Sequence, residues 1–244
     1  MSDEALEMVT NYGCRVFDGE HFVYKSGMHG PAYINVDPVL YQPWALYSIG
    51  RKLAEPYIPA GLRSSGVVPD VVADPAVGGI SFGLMTALAI NERIDAFATN
   101  LTMREQYPEQ VMHVFAEKQK TDNGQEIFVI SRTGFAAQCK GKKVLVVEDI
   151  LNSGVSTAGV IECVRAAGGE VIGVACLVSR GGATAESLGV PRFDALIDIN
   201  MLQYDAATCP LCAERRPMVV DDSLGKGKGW AEKHSDYPTK LLLN

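Results

Sequence analysis

The chain has 244 residues, 47% of them hydrophobic and 21% charged, and a formal net charge of −7. This hydrophobic fraction is ordinary for a globular protein with a sizeable core. The acidic balance argues against a nucleic-acid partner, because phosphate backbones require clustered lysine and arginine. The apolar runs are too short to span a bilayer, and the N-terminus lacks the apolar segment of a signal peptide. We therefore expect no membrane partner and a cytoplasmic location.

Helical periodicity and short apolar runs alternate along the chain. Predicted helices cover residues 4–12, 44–58, Ile80–Asn91 and Thr157–Ala167. Predicted strands are Val67–Ala73, Ala96–Thr99, Ile127–Ser131, Val144–Val147, Val171–Val178 and Leu196–Ile199. Residues 100–126 are polar and show no clear periodicity. Because continuous apolar strands alternate with helices, we predict an α/β fold with a mainly parallel twisted sheet and helices on both faces.

Three regions are predicted from this pattern. Residues 1–60 form an N-terminal segment, residues 61–200 form the α/β core, and residues 201–244 form a C-terminal extension. In a parallel sheet, ligands bind at the carboxyl ends of the strands. Three loops follow predicted strands in the core, at 74–79, 148–156 and 179–182, and these are the candidate binding loops.

The loop 148–156 has the composition of an anion and metal site. Glu148 and Asp149 leave the strand Val144–Val147 together, and Ser153, Gly154, Val155 and Ser156 enter a helix. The N-terminus of a helix favours a phosphate, and the two acids suit ribose hydroxyls or the water of a magnesium ion. No Gly-Lys-Ser or Gly-Lys-Thr of a Walker loop occurs. An ordinary strand–helix turn is the alternative.

This segment resembles the binding motif for 5-phosphoribosyl 1-diphosphate (PRPP) in type I phosphoribosyltransferases. The resemblance implies the type I phosphoribosyltransferase-like fold, with a small hood made of the N-terminal and C-terminal segments. It also implies that PRPP is bound by Asn152, Ser153, Gly154, Val155 and Ser156. That family usually has threonine at the position of Asn152, so contacts with the base or the phosphate are expected to differ here.

Two N-terminal segments resemble orotate phosphoribosyltransferases in particular. They are His21-Phe22-Val23-Tyr24-Lys25-Ser26-Gly27 and Pro31-Ala32-Tyr33-Ile34-Asn35. The resemblance implies that Lys25 contacts PRPP, and that Tyr33 and Ile34, with Asn152, line the pocket of the base. Residues 1–60 would then belong to the base-binding hood.

Two further loops of the core are similar to that family. The turn Asp74-Pro75-Ala76-Val77-Gly78-Gly79-Ile80 resembles its diphosphate-binding turn, which implies that Gly78 and Gly79 bind PRPP. Val178-Ser179-Arg180 resembles a segment whose arginine pairs with the orotate carboxylate. A planar guanidinium suits a carboxylate better than a lysine does. Arg180 is therefore the predicted substrate-binding cation.

Residues 100–126 lie where the family has a mobile catalytic loop, and Phe115–Gly124 is similar to its basic pattern. The resemblance implies that Lys118 and Lys120 reach the diphosphate across the interface of a homodimer. With Glu148 and Asp149, which would contact Mg²⁺ indirectly through PRPP or water, they are the predicted catalytic residues. The implied reaction forms orotidine 5′-phosphate and diphosphate from PRPP and orotate in pyrimidine nucleotide biosynthesis.

Two other functions stay open at the level of sequence. Asn152, Ser179 and Val77-Gly78 depart from the orotate pattern, which leaves a phosphoribosyltransferase for a purine or another base. A PRPP-binding regulator without catalysis is the second alternative, although both acids and the loop lysines are retained.

The C-terminal extension contains Cys209-Pro210-Leu211-Cys212, which is half of a zinc knuckle. A structural zinc site usually needs four ligands, and only His234 follows downstream. Cys14 or Cys139 would have to complete such a set. The spacing favours a simple turn over a zinc site.

Overall fold

A computed structural model describes residues 3–24, 26–58, 67–98, 105, 107–199, 201–221 and 223–242. The chain divides into two compact units. The first comprises Met1–Ala5 and Gln42–Ile199, and the second comprises Leu6–Tyr41 and Asn200–Asn244. This division differs from the predicted one, because residues 42–60 belong with the core and the two terminal segments share one unit.

The elements follow one another as in an α/β protein with short terminal strands. The strands are β1 (Arg15–Phe17), β2 (Phe22–Val23), β3 (His29–Gly30), β4 (Tyr33–Asn35), β5 (Val71–Pro75), β6 (Met112–Lys120), β7 (Glu126–Val129), β8 (Lys143–Leu151), β9 (Glu170–Ser179), β10 (Phe193–Asp198), β11 (Met218–Val219) and β12 (Thr239–Lys240). The α-helices are α1 (Asp3–Asn11), α2 (Asp37–Leu40), α3 (Pro43–Ala54), α4 (Gly78–Phe97), α5 (Phe135–Cys139), α6 (Val155–Ala166), α7 (Ala185–Leu188), α8 (Pro210–Ala213) and α9 (Gly227–Ala231). Single 3₁₀ turns occur at Glu55–Tyr57 and Ala206–Thr208.

The first unit is built on a six-stranded sheet with the order β10-β9-β8-β5-β6-β7. The strand pairs are parallel except for the antiparallel hairpin β6–β7. Successive side chains of β5 point to opposite faces of the sheet. Val71 and Ala73 pack in the core with α6, whereas Asp74 lies against Gly83 of α4. Helices therefore cover both faces, which confirms the predicted fold class.

Two predicted elements of the core are wrong. Ala96 and Phe97 form the last turn of α4 and not a strand, while Thr99 lies outside the described residues. The helix continues because its buried stripe extends to Ile90 and Ile94, four residues apart, with no glycine or proline to end it.

The predicted loop 100–126 contains a β-arm instead. β6 and the antiparallel β7 join through a turn at residues 121–125. Residues 100–104 and 106 lie outside the described part. The buried residues Val114 and Ala116 alternate over too short a run to predict a strand, and pairing with β5 decides its conformation.

β8 is longer than the predicted strand Val144–Val147. It pairs with β9 as far as Leu151 opposite Ser179, so Glu148 and Asp149 lie within the strand. The connection to α6 is therefore only residues 152–154. Acidic residues at a strand end carry no apolar pattern, which is why the boundary could not be placed from sequence.

The second unit joins the two ends of the chain. β1 pairs with β4, β2 with β3, and β11 with β12. Main-chain N–H groups of Val219 and Lys226 donate to the carbonyls of His21 and Val23, at 2.9 and 2.8 Å. Across the described residues of both units, no helix combines the length and apolarity needed to cross a membrane.

Candidate active site

The carboxyl ends of β5 and β8 define the candidate site. These strands are neighbours, and the chain leaves β5 toward β6 on one side before returning to β8 on the other. Such a switch in strand order opens a crevice that binds ligands in α/β sheets. α4 begins at Gly78 after β5, and α6 begins at Val155 after β8. Two helix N-termini at one sheet edge favour an anion with two phosphate groups.

The turn after β5 lies against the acidic pair of β8. Ala76 donates its N–H to the carbonyl of Ala116 at 2.8 Å, and the Ala76–Val77 peptide bond is cis. A Cβ on Gly78 would overlap the carboxylate of Asp149. Glycine at this position therefore allows the turn and the acid to be neighbours. The structure therefore brings Gly78 of the predicted diphosphate-binding turn next to Asp149 of the predicted PRPP-binding segment.

The two acids of β8 have different surroundings. Glu148 is buried and accepts a hydrogen bond from the Thr157 hydroxyl at 3.0 Å. Burial, together with the charge of Asp149, raises the pKa of Glu148 well above its usual value. Asp149 is half-buried and accepts from the Ile150 N–H at 2.7 Å. Asp149 is thus the more exposed of the two acids, and it is the one that lies beside Gly78.

A third acid was not among the predicted site residues. Asp74 is fully buried at the end of β5, and His113 Nε2 lies 2.5 Å from its Oδ2. Burial and the neighbouring Asp149 raise the pKa of Asp74 to about 6, although His113 opposes the shift. Its position after a buried strand, like that of Glu148, was the available sequence signal. His113 gave no signal, because its contact with Asp74 forms only in the folded sheet.

The buried Asp74 makes stability depend on pH in a testable way. Its pKa is about 6 in the folded chain against a usual 3.8, so the folded state binds more protons between these values. The contribution of this group to the free energy of unfolding falls as pH rises through that window and is constant above it. We expect Asp74→Asn to gain stability relative to wild type between pH 4.5 and 7. Urea unfolding in metal-free buffer measures this, and a difference that is the same at both pH values would contradict it.

The loop 152–154 shapes a cavity beside α6. Gly154 has φ +74°, a left-handed conformation that glycine adopts without strain, and α6 begins at the next residue. A cavity of about 430 Å³ opens here. Its lining includes Asn152, Ser153, Gly154, Val155, Gly181 and Gly182. Of the PRPP-binding residues predicted in this segment, 152–155 therefore line one open space, and Ser156 follows in the first turn of α6.

Arg180 stands next to this loop. Its main-chain N–H donates to the carbonyl of Leu151 at 2.9 Å, which places Arg180 beside the end of β8. Ser179 is buried, and its hydroxyl accepts from the N–H of Gly181 at 3.4 Å. The end of β9 therefore places Arg180 at the same sheet edge as the acids.

The predicted catalytic lysines lie on β6. The Ala116 carbonyl accepts the hydrogen bond from Ala76 in the predicted diphosphate-binding turn. Lys118 follows two residues later, about 7 Å further along the strand. The Lys118 ammonium lies 3.6 Å from a carboxylate oxygen of Glu126 and 5.6 Å from the centre of the Phe128 ring. Lys120 is exposed and pairs in register with Glu126. Both lysines therefore extend from the site on a β-arm.

The N-terminal candidates belong to the second unit. Lys25 lies outside the described residues. Tyr33 is half-buried, with its ring centre 5.3 Å from that of Phe22 and 6.4 Å from that of Tyr24. Ile34 is 1% exposed. Because consecutive residues of β4 face opposite sides, Tyr33 is the more accessible of the two.

Comparisons with known proteins agree with this architecture. The family of the phosphoribosyl transferase domain matches residues 62–193, more than half of the chain, so the protein belongs to the phosphoribosyltransferases. A relative from Caldanaerobacter subterraneus, an orotate phosphoribosyltransferase, is 33% identical over 85% of this chain and 91% of its own. The chain is thus a member of the orotate phosphoribosyltransferase family.

Solved structures show the same fold. The Mycobacterium tuberculosis orotate phosphoribosyltransferase in complex with PRPP has a TM-score of 0.52 and 20% identity, covering 81% of this chain and 95% of its own. The Trypanosoma brucei adenine phosphoribosyltransferase has a TM-score of 0.51 and 14% identity, covering 81% of each chain. Since adenine and orotate enzymes fit equally well, the fold does not identify the base. Sequence identity favours the orotate enzymes, at 33% for the Caldanaerobacter relative against 14% for the adenine enzyme.

Proposed function

We propose that this protein transfers ribose 5-phosphate from PRPP to orotate, producing orotidine 5′-phosphate and diphosphate for pyrimidine nucleotide synthesis. The observation that carries the proposal is the contact between Gly78 and Asp149 at the carboxyl ends of β5 and β8. It joins a diphosphate turn and a ribose-binding acid at one crevice. Identity to orotate phosphoribosyltransferases supports orotate as the base.

Each phosphate of PRPP has a matching element. The 5′-phosphate binds Ser153, Gly154, Val155 and Ser156 at the start of α6, where N–H groups and the helix dipole favour negative charge. The diphosphate binds the turn at Gly78 and Gly79. Asp149 and Glu148 hold the ribose hydroxyls, which positions the anomeric carbon for attack by the base nitrogen.

The departing diphosphate requires positive charge. Cleavage of the glycosidic bond develops a cationic centre on the sugar and negative charge on the leaving group. Lys118 and Lys120 stabilise that negative charge from the β-arm, and closure of the arm excludes water from the cation. Arg180 pairs with the carboxylate of orotate, and Asn152 adds a hydrogen bond at the base or the phosphate.

Mg²⁺ is the proposed cofactor, and the residues present fit it. Asp74, Glu148 and Asp149 gather carboxylate oxygens, and burial of these like charges raises the pKa of the first two. A hard divalent cation prefers such oxygens. Glu148 and Asp149 would hold the ion indirectly, through PRPP or water. When bound, it supplies charge neutralisation of the diphosphate.

The remaining partners are proposed by analogy with the family. By that analogy, Lys25, Tyr33 and Ile34 of the N-terminal segment are the proposed contacts with PRPP and the base. The protein acts as a homodimer, so that the β-arm serves the partner's site; Leu84 and Leu88 of α4, exposed one turn apart, offer an apolar face for such contacts. All six cysteines are free, which supports a reducing compartment such as the cytoplasm.

One experiment tests both the activity and the base. Diphosphate release is measured with PRPP, Mg²⁺ and one of orotate, uracil, hypoxanthine, guanine or adenine. We expect release with orotate alone. Diphosphate release with a purine and not with orotate would identify the purine as the substrate. Binding of PRPP without release for any base would make the protein a regulator and overturn the proposed catalysis.

A further inference from the structure

Two histidines and two cysteines of the second unit direct their ligand atoms toward one point. His21 precedes β2, His29 lies in β3, Cys209 immediately precedes α8, and Cys212 lies within that helix. One ligand atom from each residue lies within 4.8 Å of all the others. The second unit thus combines the cysteine pair of the tail with a histidine pair from the N-terminal hairpin β2–β3.

The distances match a tetrahedral zinc site. Zinc binds nitrogen at about 2.0–2.1 Å and sulfur at about 2.3 Å, which separates two nitrogens by about 3.3 Å and a nitrogen from a sulfur by about 3.6 Å. His21 Nε2 lies 3.1 Å from His29 Nδ1, and 3.8 and 3.7 Å from the sulfurs of Cys209 and Cys212. The Cys212 sulfur lies 3.2 Å from His29 Nδ1. These separations agree with the tetrahedral values to within about 0.4 Å.

A central ion explains this convergence better than hydrogen bonds between pairs. The Arg216 carbonyl can only accept, so His21 Nδ1, 2.9 Å away, carries the proton. His21 Nε2 therefore presents a lone pair to the cluster. His29 Nδ1 and the two sulfurs all surround that lone pair. The lone pair can accept a hydrogen bond from only one of these three groups. A zinc ion takes all four ligands at once.

The surroundings are those of a structural metal site. His21, His29 and Cys209 are buried, and Cys212 is half-buried. The Arg216 carbonyl fixes the His21 tautomer, as outer contacts of zinc-bound histidines commonly do. Four protein ligands leave no position for substrate, which excludes a catalytic role for the ion. Two thiolates also neutralise Zn²⁺, so no net charge is buried.

His234, the histidine considered from sequence, is placed elsewhere. Its ring stacks on Trp230 with centres 3.9 Å apart, and its Nδ1 is 2.9 Å from the Trp230 carbonyl. Trp230 in turn packs edge-on against His29 at 5.4 Å. His234 therefore packs behind Trp230, which contacts the ligand His29, and His234 is not itself a ligand.

We propose that His21, His29, Cys209 and Cys212 hold one structural zinc ion that ties the N-terminal hairpin to the C-terminal extension. The most distant ligands are 191 residues apart in sequence. An ion that joins such distant positions closes a long loop of the chain and adds its binding free energy to folding. Metal removal is therefore expected to destabilise the second unit.

The first test is the metal content of the full-length chain. The protein is expressed with zinc in the medium, purified under reducing conditions and analysed by mass spectrometry of the metals. We expect about one zinc ion per chain, and cobalt in its place should give the visible absorption of tetrahedral thiolate coordination. A chain that contains no zinc, and whose Tm neither zinc nor a chelator changes, would overturn the proposal.

Variants then assign the ligands. Cys212→Ser and His29→Ala should each lose the zinc, while Cys14→Ser, a buried cysteine of the same unit outside the cluster, should retain it. If the ligand variants fail to fold, chelator titration of the wild type, with a chromogenic zinc indicator and thermal unfolding, gives the same answer. A protein that contains no metal and in which Cys209 and Cys212 form a disulfide would contradict the proposal.

Discussion

Asp149→Asn is expected to lower kcat/KM for PRPP by about 10²-fold or more while leaving the protein at least as stable as wild type. The activity is lost because the uncharged amide binds the ribose hydroxyls and the magnesium–water shell more weakly. Stability is retained because the charge of Asp149 raises the pKa of both Asp74 and Glu148, so the folded chain carries repulsion that the substitution removes. Opposite signs for activity and stability are the signature of a functional acid.

Steady-state kinetics and urea unfolding at pH 7 measure the two effects. Glu162→Gln is the matched control, since Glu162 is an exposed acid on α6, the helix that follows Asp149. It should leave both quantities unchanged. A large loss of stability in Asp149→Asn would instead make the residue structural, and unchanged kinetics would remove it from the site.

Lys118→Ala is expected to lower kcat by about 10²-fold, with a smaller effect on KM, because the lysine acts mainly on charge that develops in the transition state. In the free enzyme its ammonium is paired with Glu126 on the neighbouring strand. That pair is exposed, so its loss contributes little to stability. Lys118→Arg should retain part of the activity, since it keeps the charge.

Lys142→Ala serves as the control. Lys142 is an exposed lysine that precedes the first residue of β8, at the end of the strand away from Glu148 and Asp149.

Subunit mixing adds a sharper test of the proposed dimer. If Lys118 acts on the partner's site, mixing inactive Lys118→Ala with inactive Asp149→Asn should restore about a quarter of wild-type activity through hybrid dimers. If the dimers exchange subunits and no activity is recovered, each site takes Lys118 and Asp149 from the same chain, and the proposed action across the dimer is wrong. Normal turnover of Lys118→Ala alone would remove the β-arm from catalysis.

The strand, the acidic pair and the helix start of the candidate site could be predicted from short segments. Val144 to Ser156 contains an apolar strand, an acidic pair and a helix start within a few residues, so local sequence specifies each part. The turn at Gly78 and Gly79 is equally local. The order of strands could not be derived this way, because it depends on pairing between segments that are far apart in sequence.

The errors also have a physical cause. β6 was missed because its Val114–Ala116 alternation is short and its outer half, including Lys118, is exposed. The strand forms because β5 pairs with it on one side and β7 on the other. α4 was predicted to end at Asn91 because the apolar residues Ala96 and Phe97 were assigned to a separate strand. In the structure the buried stripe of the helix continues past Ile90 to Ile94.

The sequence by itself therefore determined the family and the local order of its motif: an acidic pair before a helix start, as is typical of a phosphoribosyltransferase. Only the tertiary structure decided which residues meet. It brought Gly78 next to Asp149 and His113 into contact with Asp74. It also brought His21 and His29 beside Cys209 and Cys212. Short motifs encode local backbone geometry, whereas such contacts join residues that the chain separates, and only folding brings their side chains together.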